Sequence, residues 1–381
     1  MGSEVKLVAA GLVLTVNAGS SSIKLDLFTC DGETIETVGA SHIRNPALPP
    51  NQILKDFFSE CDINVTNISI VSHRLVHGGD LITRPVMVTE ALEERLDKIA
   101  SLAPLHNPVA FKWVRSCRDL LPSGCPQVLV PDTAFFTDLP DVARVYAVPA
   151  ELTRRHGLRR YGFHGLAHKA MWLEWVASGE RPPPSRLISI QLGAGCSITA
   201  TRDGRPLDTS MGFTPLEGLV MATRSGDIDA GLVTWLQRNE ALSADEVDRV
   251  LNEWSGLYGL SGISGDVDVL LNNGSPDAMD AIAIYAYRIR KYIGALLAVM
   301  NGTDGILFGG GVGEHIPYVR ARALEAMEWA GIEMDEDRNA AHTRGSGILS
   351  TDTSPVEVRA TRVEEAGLLA SEALALLIEQ S

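Results

Sequence analysis

Apolar positions along the chain come in short strand-like runs separated by helical patterns. The first run, Leu12, Val13, Leu14 and Val16, stops at Asn17-Ala18-Gly19-Ser20-Ser21-Ser22. A second run then alternates, with Ile23, Leu25 and Leu27 on one face and Lys24 and Asp26 on the other. This pattern predicts a β-hairpin whose tight turn is built from small hydroxyl residues. Strand-like runs recur at Ile68–Val71, Val128–Val130, Leu187–Leu192 and Ile306–Phe308. Residues 90–101 set Leu92, Leu96 and Ile99 on one helical face. A long helix is expected over 277–300, with Asp277 as N-cap after Pro276 and Asn301-Gly302 as its stop, and an amphipathic helix over 364–381. Strands mixed with helices place the chain in the α/β class.

The hairpin pattern occurs twice. Residues 186–207 again read strand, small-residue turn, strand, and then Asp203-Gly204 into a third strand, as Asp31-Gly32 does in the first copy. The recurrence suggests internal duplication. A length of 381 residues favours two domains, and Arg181-Pro182-Pro183-Pro184-Ser185 reads as a linker before the second copy.

A formal net charge of −15 provides no general attraction to nucleic acid or to an anionic membrane. Anionic substrates must then meet a local cluster of cations. Five cysteines, odd in number and without a CxxC pair, read as reduced cytosolic thiols without structural zinc. The apolar stretch 7–16 is too short to span a membrane and lacks a basic leader.

The turns carry the candidate chemistry. Small residues let phosphate approach backbone amides, the hydroxyls of Ser20 and Ser22 donate, and Lys24 supplies charge. An ordinary Ser-rich turn is the plain alternative. The second turn is Gln191-Leu192-Gly193-Ala194-Gly195, and a third loop runs Gly309-Gly310-Gly311-Val312-Gly313-Glu314, without the Gly-Lys-Ser/Thr ending of a P-loop. His73-Arg74 precedes Val76-His77-Gly78-Gly79 after a strand. Asp132 follows another strand, as a helix cap or as a metal or acid–base group. Arg160-Tyr161-Gly162-Phe163-His164-Gly165 and the Gly-flanked Arg224 add cations, with a solvated basic surface as the alternative. Together these are the parts phosphoryl transfer needs: cations, a carboxylate for Mg²⁺ and backbone amides.

The blocks Asn17–Ser22, His73–Gly79, Leu105-His106-Asn107-Pro108, Asp132–Phe135, Arg160–Gly165 and Met211-Gly212-Phe213-Thr214-Pro215-Leu216-Glu217-Gly218, in this order, resemble the acetate kinase family of the sugar kinase/Hsp70/actin-type superfamily. The resemblance covers essentially the whole chain. It implies two duplicated actin/Hsp70-like (ribonuclease H-like) domains with mixed sheets flanked by helices and an active site in the interdomain cleft. Residues 1–150 would form the acyl side, completed by the helix 364–381, and residues 151–363 the nucleotide side and dimer interface. The implied reaction is reversible phosphoryl transfer between ATP and acetate, giving ADP and acetyl phosphate. It uses Mg²⁺, for which Mn²⁺ can stand in, and runs in a cytoplasmic homodimer with no nucleic-acid or membrane partner. Matched by motif, Asn17 and Glu364 would serve Mg²⁺, Lys24 the nucleotide phosphates and Arg74 the carboxylate. Asp132, His164 and Arg224 would be catalytic, and Val76, Leu105, Phe163 and Pro215 would meet the methyl end. Arg74→Ala and Arg224→Ala are each expected to lower turnover and leave the fold intact.

The departures from the family pattern fall on the nucleotide side. The second loop has Gln191 and Ala194 where His and Asn are usual, and Gly265-Asp266-Val267-Asp268 has an acid where an arginine packs on adenine. The third loop ends Gly313-Glu314-His315 rather than Gly-Glu-Asn, and Val363-Glu364-Glu365 replaces Asn-Glu-Glu. Arg338 is a residue that could re-cover the adenine face. The alternatives are a propionate kinase, a relative using pyrophosphate or GTP, and a non-catalytic actin- or Hsp70-like binding protein.

Overall fold

The computed structural model describes residues 11–19, 22–31, 34–44, 47–104, 106–179, 181 and 183–379. Of the expected site residues, Ser20 and Leu105 lie outside these, as does Gly32 of the first Asp-Gly turn. By contacts the chain divides into two units, Met1–Thr137 with Glu364–Ser381, and Asp138–Val363. The first division falls ahead of the residue 150 expected from sequence and well ahead of the Pro-rich stretch.

The first unit holds β1 (Leu12–Ala18), β2 (Ser22–Asp31), β3 (Thr34–Arg44), β4 (Ile68–Leu75), β5 (Val86–Met87) and β6 (Gln127–Pro131) in one sheet ordered β3-β2-β1-β4-β6-β5. The second holds β7 (Arg186–Leu192), β8 (Cys196–Arg202), β9 (Arg205–Thr209), β10 (Gly305–Gly309), β11 (Gly347–Ile348) and β12 (Glu357–Ala360), ordered β11-β12-β10-β7-β8-β9. Counted along the chain, both sheets have the same strand order, mirrored only in the direction of listing. The directions agree too: the first three strands of each are antiparallel, the fourth lies parallel to the first, the sixth parallel to the fourth, and the fifth antiparallel to the sixth. The duplication suggested by the two hairpins thus extends through the complete six-stranded sheet.

Alternation in β2 does what the pattern predicted: Ile23, Leu25 and Leu27 are buried and Lys24 is exposed. Leu14, Val16, Leu25 and Leu27 pack with Leu54, Phe57, Trp113 and Cys117 from the helices Pro50–Glu60 and Asn107–Leu120. The C-terminal helix Glu365–Glu379 returns to this unit, burying Leu368, Leu369, Ala370 and Ala373, and the Leu369 carbonyl accepts from Ser72 Oγ at 2.7 Å. It contacts β1, β4 and β6, which brings its acidic N-terminus to the strand ends.

Of the boundaries that differ from expectation, two have a plain physical cause. The long helix is Pro276–Met300, and its N-cap is Ser275, whose Oγ accepts from Ala278 N, rather than Asp277. Proline at the first helical position has no N–H to satisfy, so the cap falls one residue before it. Strand β4 runs on to Leu75, so His73 and Arg74 are strand residues, not loop residues. Alternation sends His73 to one face, where Nε2 donates to Gln127 Oε1 at 2.7 Å, and Arg74 to the other.

Burial lowers the His73 pKa from 6.5 to about 4, against the Gln127 hydrogen bond, and burial also lowers that of His168. The unfolded chain protonates these imidazoles first. Their contribution is complete above pH 6.5 and is lost as the pH falls toward 4. The unfolding free energy should therefore drop between pH 7 and 5, by up to about 1.4 kcal/mol per pH unit for each imidazole, and the denaturant midpoint with it. A midpoint constant over that window would contradict the burial of neutral rings.

Candidate active site

Each unit gathers one polar set. In the first, Arg74 and Asp132 come from adjacent parallel strand ends. Arg74 Nη2 lies 2.5 Å from Asp132 Oδ2, and Nε lies 3.2 and 3.1 Å from the two carboxylate oxygens. Arg74 Nη1 donates to Asn17 Oδ1 at 3.2 Å, and Asn17 Nδ2 donates to Glu365 Oε2 at 2.9 Å. The Asp132 side chain is 1% exposed and the Arg74 side chain 15%. Asp132 therefore caps no helix; it is an ion-pair partner. Burial disfavours the Arg74 charge, but Asp132 and then Glu365 outweigh it and raise the guanidinium's pKa. Among the described residues three of its five N–H groups are committed, which leaves two for a ligand.

Glu365, given no site role from the sequence, is the carboxylate on Asn17. Its neighbour Glu364 lies near Asp26, whose pKa burial raises, with Lys24 lowering and Glu364 raising it further. Lys24 is exposed on the strand opposite Asn17. The loop after β4 is pinned from behind. Asn107 Oδ1 accepts from His77 N at 3.2 Å, Asn107 Nδ2 donates to His77 O at 2.8 Å, and Thr133 Oγ1 accepts from Gly78 N at 3.1 Å. Val76 is buried at the strand end.

The donors here are carboxylate and amide oxygens, which suit a hard cation. Among the described residues no three His, Cys, Asp or Glu side chains form a cage. Mg²⁺ requires none, because it keeps waters and takes one or two carboxylates besides substrate phosphates. Asn17 with Glu364 and Glu365 fits that demand.

In the second unit His164 has left-handed backbone angles (φ 57°, ψ 31°) and precedes the helix Gly165–Ala177. Non-glycine residues rarely adopt this conformation, which is concentrated at functional sites. His164 Nδ1 lies 2.9 Å from Ser197 Oγ. Arg224 Nη1 donates to the Pro215 carbonyl at 3.0 Å. A methyl group placed on Gly195 would lie 3.3 Å from His164 Cε1, 3.4 Å from His164 Nε2 and 3.7 Å from Arg224 Nη1. Imidazole and guanidinium thus converge on one point above the second small-residue turn. Burial lowers the Arg224 pKa, and among the described residues it pairs with no carboxylate. A desolvated cation without a counter-ion favours a bound anion.

The loop bearing Pro215 is fixed by a network that the sequence did not disclose. Tyr146 OH lies 2.5 Å from Glu217 Oε2, Arg160 Nη2 lies 2.6 Å from Glu217 Oε1, and Arg160 Nη1 donates to the carbonyls of Ser210 and Met211. Arg160 is therefore a structural clamp rather than a solvated basic surface. Phe163 is buried.

The nucleotide-side candidates are all in the second unit. Gln191 and Leu192 end β7, and Gly193 N donates to Gly195 O at 3.1 Å across the turn, leaving Ala194 exposed. Gly311, Val312, Gly313, Glu314 and His315 form a helical turn, Gly310–His315, directly after β10. Glu314 is buried and accepts from Gly345 N at 2.7 Å, and His315 Nδ1 donates to Thr343 O at 2.7 Å. Fully buried Arg320 donates to the carbonyls of Gly313 and Glu314 at 2.9 and 2.8 Å and to Asn339 Oδ1 at 2.8 Å, which ties this turn down. Asp266 and Asp268 are exposed and Val267 is buried; Asp266 caps the helix Val267–Asn273. Arg338 is engaged by Asp335, Asp352 and the Ser350 carbonyl.

Two copies of one mixed sheet, each flanked by helices, with polar sets at the strand ends, make this chain a duplicated two-unit α/β protein. The acetokinase family model matches residues 32–371, and the chain belongs to that family. It is 40% identical over 363 residues to an acetate kinase of Chloroherpeton thalassium, with 92% of this chain and 87% of that protein covered. The crystal structure of Porphyromonas gingivalis acetate kinase is similar, with a TM-score of 0.86 at 34% identity, covering 97% of this chain and 100% of that one. A propionate kinase from Francisella tularensis has a TM-score of 0.83 at 31% identity, covering 96% and 99%. Among the described residues no helix is long and apolar enough to cross a membrane.

Proposed function

We propose that the chain transfers the γ-phosphoryl group of ATP reversibly to acetate, giving acetyl phosphate and ADP. The observation that carries this reading is the convergence of His164 Nε2 and Arg224 Nη1 above Gly195, with no carboxylate to neutralise the guanidinium among the described residues. Acetate is already an anion at neutral pH, so its attack requires no general base. A carboxylate oxygen forms the new bond to phosphorus as the bond from phosphorus to the ADP oxygen breaks, and the electron pair leaves with ADP. Arg74 offers its two remaining N–H groups to the carboxylate. Asp132 holds the guanidinium in place. His164 and Arg224 donate to the equatorial oxygens of the transferring group, whose charge spreads in the transition state.

Asn17, Glu364 and Glu365 are the residues proposed to hold Mg²⁺, which when bound neutralises phosphate charge. Lys24, Ser22 and the turns at 191–195 and 311–315 are proposed to serve the donor phosphates. Val76, Phe163 and Pro215 are proposed contacts for the alkyl end of the acid. One methylene is worth only about 1–3 kcal/mol, so propionate is an expected secondary substrate. A homodimer in the cytoplasm is part of the proposal, with the exposed Trp235 and Trp254 as apolar surface for a second copy to cover. Acetate-dependent release of ADP from ATP and Mg²⁺ by the purified protein is the expected result. ATP consumption that ignores acetate would contradict the assignment.

Base selectivity is expected to be weak. Asp268 is exposed and anionic at the position proposed to face the base, and the engaged Arg338 offers no substitute. Cation–π stacking of the kind an arginine supplies contributes about 0.5–2 kcal/mol. Titration calorimetry should show ADP and GDP binding within about tenfold of each other, and Asp268→Arg should favour ADP by up to about 1.4 kcal/mol. Tight, adenine-selective binding by the wild type, unimproved in Asp268→Arg, would show that other residues form the base pocket.

A further inference from the structure

A chain of buried polar groups runs behind His164 and has a direction. Ser189 Oγ lies 2.7 Å from His168 Nδ1, His168 Nε2 lies 2.8 Å from Ser197 Oγ, and Ser197 Oγ lies 2.9 Å from His164 Nδ1. Ser189, His168 and Ser197 are each 0% exposed. Ser189 stands on β7, Ser197 on β8 and His168 on the helix Gly165–Ala177, so three elements hold the line rigid. Burial, with the neighbouring His164, lowers the His168 pKa well below its ordinary value. Its ring is neutral, with one nitrogen donating and the other accepting.

Two directions are consistent with a neutral His168. In the first, His168 Nδ1–H donates to Ser189. The Ser189 hydroxyl hydrogen then needs an acceptor of its own, and His168 Nδ1 is the hydrogen-bond partner that this Oγ has among the described residues. In the second, Ser189 donates to His168 Nδ1, His168 Nε2–H donates to Ser197, and Ser197 donates to His164 Nδ1. Every hydrogen along the line then has an acceptor, as buried polar groups require. A neutral His164 that accepts at Nδ1 carries its hydrogen on Nε2. That is the atom 3.4 Å from the point a methyl group on Gly195 would occupy, beside Arg224.

We propose that Ser197, His168 and Ser189 are positioning residues that lock His164 as its Nε2–H tautomer, with that donor aimed at the transferring phosphoryl group. The proposal rests on the reading of His164 as a phosphoryl contact. In the opposite tautomer Nε2 would present a lone pair to phosphoryl oxygens and repel them. The left-handed backbone of His164 fixes where the ring starts, and Ser197 fixes which of its edges faces the ligand.

The test uses the full chain as wild type, Ser197→Ala, Ser189→Ala and His164→Ala. Steady-state kinetics and thermal melting are read together with ¹⁵N spectra of histidine-labelled protein. In the wild type, His164 should show a protonated Nε2 and an unprotonated Nδ1. Ser197→Ala should mix the tautomers and lower kcat by about 10–100-fold, with KM values for acetate and ATP within about twofold. Ser189→Ala frees the far end of the line and should act in the same direction, which keeps the proposal testable if Ser197→Ala does not fold. Wild-type kcat in the folded serine variants, or a wild-type His164 protonated at Nδ1, would overturn the relay. If His164→Ala loses activity while both serine variants keep it, only the relay fails. Wild-type turnover in His164→Ala would instead overturn the reading of His164 itself.

Discussion

Asp132→Asn should reduce acyl phosphate formation by about 10²–10³-fold or more. The carboxylate receives Arg74 Nε and Nη2 and is 1% exposed, so its charge is spent on the guanidinium rather than on solvent. Asparagine keeps the shape but offers one acceptor and no charge, and Arg74 is then free to turn. The loss should appear in kcat and also as a raised KM for acetate, because the same guanidinium is the one proposed to bind the carboxylate. Arg74→Ala is a different experiment. It strands a buried carboxylate, and removing one partner of such a pair costs about 3–5 kcal/mol. The expectation that this variant leaves the fold intact is therefore revised: its melting temperature should fall with its activity. Wild-type kinetics and Mg²⁺ dependence in Asp132→Asn would reduce the pair to a structural one.

Arg224→Ala should also lower kcat by about 10²–10³-fold, but with the opposite companion effect on stability. The guanidinium donates to the Pro215 carbonyl and is desolvated with no carboxylate partner among the described residues. Replacing it removes an unfavourable charge from the folded state, so the melting temperature should hold or rise while turnover collapses. Activity and stability then move apart, as expected of a group kept for the transition state rather than for the fold. Gly195→Ala places a methyl 3.4 Å from His164 Nε2 and should reproduce the loss with the imidazole and the guanidinium both present. Near-normal turnover in Arg224→Ala and Gly195→Ala would rule out the anion site.

Local pattern carried the fold far. The clean alternation of Ile23, Leu25 and Leu27 and its echo at Leu187–Leu192 disclosed both hairpins, and the sheets they nucleate repeat strand for strand. Arg74, Asp132, His164 and Arg224 were legible as cations and a carboxylate beside glycines and strand ends. Their partners were not. Asp132 is 58 residues from Arg74 and Glu365 is 348 residues from Asn17, separations at which no periodicity speaks. The extension of β4 through His73 and Arg74 was hidden because three polar residues, Ser72, His73 and Arg74, follow the apolar run. The sheet neighbour β6 pairs them, and propensity does not. Ser189 and Ser197 look like unremarkable strand residues. Only the pairing of β7 with β8 and the helical turn from His164 to His168 line them up.

Phosphorylation of a short carboxylate is the activity on which every assignment above depends. Trapping the product with hydroxylamine reads it out, with ATP, GTP and pyrophosphate each offered against formate, acetate, propionate and butyrate in the presence of Mg²⁺. Hydroxamate is expected from ATP and acetate, less from propionate, and near-background signal in Arg224→Ala. Absence of hydroxamate with every donor and acid, from protein that is folded and binds nucleotide, would contradict the assignment and leave a nucleotide-binding relative that has kept the fold.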